Sequence, residues 1–114
     1  MDFLDKEFVE ADHNPSSPFR DRVYISYSRF YQGNYPGTST VGGGDIYIQH
    51  SSDRGLTWST VTRLTAPADL PGNGGTGTAG SSYVQGSDPA VGPDGSVYVA
   101  WHFGGRTAVR RSTD

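Results

Sequence analysis

The chain predicts an all-β protein built from short antiparallel strands. Three observations carry that reading: apolar and β-branched residues cluster in short runs, turn residues separate the runs, and no segment repeats its apolar positions at helical spacing. Among 114 residues, 33% are hydrophobic and 16 are glycine. A core built from so few apolar side chains is thin, so the chain reads as a piece of a larger assembly.

The first strand is expected over Glu7–Ala11, the second over Arg22–Tyr27, the third over Asp45–Gln49 and the fourth over Thr60–Leu64. A second unit begins at Asp88-Pro89-Ala90-Val91, turns at Pro93-Asp94-Gly95, continues over Ser96–Trp101 and ends with Thr107–Arg111. In that turn proline presets φ and glycine takes the left-handed position. Four antiparallel strands per unit is the plan of a β-propeller blade, so the expectation is one complete blade and about three quarters of the next. Residues 1–65 form the first blade, 66–87 a Gly-rich connection and 88–114 the incomplete second blade.

The third and fourth strands are joined by Ser51-Ser52-Asp53-Arg54-Gly55-Leu56-Thr57-Trp58. Asp53 can accept hydrogen bonds from the backbone of its own turn, Gly55 can take positive φ, and Thr57 can close the turn with its hydroxyl. Trp58 is expected to bury its ring against a neighbouring sheet. Ser112 and Asp114 repeat the spacing of Ser51 and Asp53 at the end of the chain. A strand similar to Arg22–Tyr27 precedes them at Ser96–Trp101, the signature of an internal repeat.

Strands covered on both faces suit the mixed apolar character of Val23–Tyr27 and Val97–Trp101. Two terminal faces would then stay open, so the isolated chain is expected to be unstable or to self-associate unless further blades complete a ring. The longest connections, Ser28 to Gly44 and Thr65 to Ser87, gather at one end, where binding residues usually lie. Candidates there are Arg29, Tyr31 and Tyr35, which mix aromatic plates with donors suited to sugars. Asp5, Lys6 and Asp88 flank the first strand of each unit, and His102 and Arg106 occupy the short loop of the second. Pro71 to Gly77 reads as a mobile rim rather than a phosphate cradle, since no lysine follows it.

The net charge is −3 and the nine basic residues are scattered, which argues against nucleic acid as a partner. No zinc or calcium signature is complete, no cofactor is implied, no apolar run has membrane-spanning length, and no cysteine is present to form a disulfide.

The segment Ser51–Trp58 resembles the Asp-box, or BNR repeat, of sialidase-type propellers, and Gly92-Pro93-Asp94-Gly95-Ser96-Val97-Tyr98-Val99-Ala100-Trp101 is similar to a phrase of their bacterial members. That resemblance implies a six-bladed propeller fragment, exo-glycoside hydrolysis or glycan binding, and a secreted or cell-surface parent whose signal lies upstream. In that family three arginines hold a substrate carboxylate, a tyrosine paired with a glutamate is the nucleophile, and an aspartate is the acid and base. None of these matches this chain residue by residue. A non-catalytic module that binds glycan or protein, or that supports neighbouring domains, is the alternative expectation.

Overall fold

The computed structural model describes residues 1–34, 43–65, 84–103 and 105–113. Seven strands follow in chain order: β1 Phe3–Ala11, β2 Val23–Phe30, β3 Gly44–Ser51, β4 Thr62–Arg63, β5 Val84–Val91, β6 Val97–Phe103 and β7 Arg106–Ser112. They form two antiparallel meanders, one ordered β1-β2-β3-β4 and the other β5-β6-β7. The described residues contain no helix.

The two sheets repeat one another in register. Val23 stands opposite Ala11 and Ser51, and Val97 stands opposite Val91 and Ser112. Each first strand also carries a bulge at the corresponding point, between Asp5 and Phe8 in β1 and between Gln85 and Asp88 in β5. Both bulges hold a left-handed residue, Lys6 at φ 58° and Gly86 at φ 66°. An extra residue in one strand bends it and tightens its twist.

The sheets pack with β5 against β1, β2 and β3. Along β2 the buried positions alternate as Tyr24, Ser26 and Ser28, and along β6 as Val97, Val99 and Trp101. These faces meet around Ile46, Leu64 and Val84, with Ile48, Val91, Phe103 and Ala108 at the margin. The fully buried Ser26, Ser28 and Ser87 put small side chains on the two packed faces.

A loop of the first sheet braces a hairpin of the second. Asp12 and Arg22 close the loop base through the Asp12 N–H to Arg22 carbonyl bond of 2.9 Å. Inside it the buried Asp12 carboxylate accepts from the Asn14 N–H at 3.0 Å and from the Ser17 hydroxyl. Burial opposes the charge on Asp12, yet these bonds hold its carboxyl below the usual range. Asn14 then donates through Nδ2 to the Gly92 carbonyl at 3.0 Å. Gly95, at φ 82°, lies so near that a methyl group on it would stand 2.6 Å from Ser17 Oγ. The hairpin itself is closed by the Gly92 N–H to Ser96 carbonyl bond and by Asp94, which accepts from the Ser96 N–H and hydroxyl.

The Ser51–Trp58 turn is self-bonded. Asp53 accepts from the Thr57 N–H at 2.8 Å and from the Thr57 hydroxyl, while the Ser51 hydroxyl donates to Asp53 at 2.7 Å. Gly55 has φ 86°, and its N–H donates to Ser51 Oγ at 2.8 Å rather than to Asp53. Serine thus shares the acceptor role assigned to the aspartate alone.

Several boundaries differ from expectation. The fourth strand is only Thr62–Arg63; ahead of it Ser59 lies against β3, its N–H donating to the His50 carbonyl and its hydroxyl accepting from the His50 N–H. Trp58 is 41% exposed instead of buried. β1 begins at Phe3 and β5 at Val84, so Asp5 and Lys6 sit within a strand, and Asp88 lies inside β5 opposite Ala100. Tyr35, Asp114 and the 71–77 segment lie outside the described residues.

Candidate functional site

Antiparallel register gathers one set of strand ends beside the two long connections. Phe3 pairs with Phe30 and Phe30 with Gly44 in the first sheet, and Val84 pairs with Phe103 and Phe103 with Arg106 in the second. Of the eight ligand candidates, the structure groups Arg29 with Tyr31, and Asp5 with the neighbourhood of His102.

Arg29 reaches across the β1–β2 pair to Asp2, with Nε and Nη2 at 2.9 and 2.7 Å from Asp2 Oδ2. This charge-assisted bond raises the arginine's pKa and lowers that of the carboxyl. The guanidinium also lies 5.3 Å from the ring centre of Tyr31 and 5.8 Å from that of Tyr47. Both distances suit cation–π attraction.

Tyr31 is buried rather than displayed. Its hydroxyl donates to Asp45 Oδ2 at 2.9 Å and lies 2.7 Å from the Tyr47 hydroxyl. Asp45 is fully buried, accepts from the Thr65 hydroxyl at 2.6 Å, and has Arg63 Nη1 at 3.6 Å. Thr65 Oγ1 in turn accepts from the Ile46 N–H at 3.1 Å. Burial, then the Tyr47 hydrogen bond and the Asp45 charge, push the Tyr31 phenol far above its ordinary range. A phenol held this way remains protonated and serves as a donor.

Asp5 accepts from Gln85 Nε2 at 3.4 Å, joining the two sheets, and Gln85 stands opposite His102. Arg106 is exposed opposite Phe103. Lys6 and Asp88 are also exposed, one in the bulge and one farther along β5. This end therefore presents a stacked arginine, an acid–amide pair and a cationic turn.

Asp2, Asp45, Tyr47, Arg63 and Thr65 complete the arrangement and were not singled out from sequence. Asp45 and Tyr47 have a visible signal, a two-residue spacing that puts them on one strand face. Asp2 and Thr65 carry no such signal, because their roles depend on partners across strands.

At the opposite end a cleft of about 510 Å³ opens between the outer strands, walled by Tyr24, Ile48, Leu64, Val97 and Val99 with His50 at its side. Burial, helped by the charge of Arg22, lowers the His50 pKa, so its imidazole is neutral near pH 7. Among the described residues, no helix is long and apolar enough to cross a membrane. No protein-family model, curated protein or solved structure matches this chain.

Proposed function

We propose that the chain is part of a sialidase-like β-propeller with Asp-box turns, from a secreted or cell-surface protein, and that the end carrying Arg29 engages glycans. The observation that carries this reading is the Ser51–Trp58 turn, in which Ser51, Asp53, Gly55 and Thr57 meet the chemical demands of the motif they resemble. The repeated register of the two meanders supports it. Arg29, whose side chain stays 41% exposed beside Asp2, supplies donors suited to a polar sugar bearing an anionic substituent.

Within that family, the state of Tyr31 favours binding over hydrolysis at this end of the chain. A phenol kept protonated by burial and by its bonds to Tyr47 and Asp45 is a poor nucleophile. The test pairs a fluorogenic sialoside assay with NMR titration of sialyllactose. Expected are saturable shifts around Arg29 and His102, no turnover, and affinity weakened about tenfold or more by Arg29→Met. Turnover assigns the hydrolytic reading; absence of both binding and turnover across several exo-linked glycans overturns the glycan proposal.

A further inference from the structure

The cleft beside His50 is built by register from both sheets. On the first sheet Tyr24 stands opposite His50, and Ile48 opposite Thr62. On the second, Val97 stands opposite Ser112 and Val99 opposite Arg110. Residues paired across antiparallel strands share a face, so an apolar floor meets hydroxyls, an imidazole and a guanidinium in one recess. Its volume, about 510 Å³, lies in the range of small-molecule sites.

Tyr24 supplies a second, independent sign of a ligand. The residue is 4% exposed and belongs to the wall of the cleft, and its buried hydroxyl has no hydrogen-bond partner among the described residues. Burial raises its pKa, partly offset by Arg22 nearby, so the hydroxyl stays protonated and able to donate. A buried donor is costly to leave without an acceptor, and a ligand oxygen would satisfy it.

Charge decides what kind of oxygen. Arg110 lines the cleft while no carboxylate does among the described residues, and Glu10, opposite Tyr24 on β1, stays outside it. Neutral His50 can add an N–H. Its ring lies 6.1 Å from that of Tyr24, and Val97 and Val99 come from the other sheet, so the recess is a slot that suits a flat apolar body.

We propose that this cleft binds a flat aromatic carboxylate, its ring between the sheets and its carboxylate held by Arg110 and the Tyr24 hydroxyl. The site is separate from the Arg29 end, so the glycan reading and this one can fail independently.

The probe is naphthoate, titrated into the chain and followed by amide NMR near neutral pH. Saturable shifts are expected at Val97, Val99 and Arg110, with the neutral counterpart naphthalenemethanol binding about tenfold or more weakly. Arg110→Met is expected to weaken naphthoate about tenfold and to leave naphthalenemethanol unchanged. Tyr24→Phe keeps the ring and removes the hydroxyl, so naphthoate is expected to bind about fivefold more weakly. Dispersed amide spectra confirm folding, and Tyr24→Phe carries the test if Arg110→Met unfolds. No saturable shifts at the cleft, equal affinity for the neutral counterpart, or wild-type affinity in either folded variant would each overturn the proposal.

Discussion

Asp53 is held ionised by hydrogen bonds rather than by a cation. The Thr57 hydroxyl contributes most, followed by the Thr57 N–H and the Ser51 hydroxyl, and together they lower its pKa from 3.8 to about 2. A depressed folded-state value means that the turn's contribution to stability is present above pH 3.8 and is lost as pH falls from 3.8 towards 2. Asp2, Asp12 and Asp94 are also lowered, so the contribution is best read as a difference. Between pH 5 and 2 the melting temperature of the wild type is expected to fall more steeply than that of Asp53→Asn. Parallel curves would show that Asp53 does not stabilise the fold through its charge. The turn closes through Asp53, Ser51 and Thr57 without the indole, so Trp58 can stay 41% exposed.

At the level of elements, most strands were legible because alternation and turn chemistry agree at Val23–Tyr27, Pro93–Gly95 and Val97–Trp101. The bulges were not legible. Nothing in Asp5-Lys6-Glu7 advertises a left-handed residue, and a one-residue irregularity leaves the apolar pattern on either side plausible in two registers. The site followed the same division. Arg29 and Tyr31 stood out by type, but whether Tyr31 faces sugar or core depended on Asp45 and Tyr47, which approach from β3. The bulges make an opposed pair of predictions. Lys6→Gly removes a left-handed cost of roughly 1–2 kcal/mol and returns about 0.5–1 kcal/mol through unfolded-chain freedom, so a small rise in thermal stability is expected. Gly86→Ala is expected to cost about 1–2 kcal/mol from backbone strain alone, because no atom lies within 4 Å of the added methyl. Calorimetry that finds both changes neutral would argue against equivalent bulges.

For the whole molecule, the contact between sheets combines an apolar core with the loop that reaches from Asp12–Arg22 to the Gly92–Ser96 hairpin. Gly95→Ala is expected to destabilise by about 1–2 kcal/mol through its positive φ, with a further loss from crowding Ser17. Ser17→Gly makes room but strips Asp12 of a hydroxyl donor. Denaturation of both single variants and the double variant is expected to reveal a coupling of about 0.5–3 kcal/mol, the double being less damaged than the sum. Strict additivity would show that positions 17 and 95 do not bear on each other.

The loop's reach gives the fold a form of memory between neighbours. A side chain that looks like an internal matter of one meander decides what its successor can accommodate, so positions 17 and 95 behave as a single variable written in two places. An engineer who transplants either meander alone would inherit half of that variable, and would have to carry the matching half along or rewrite it.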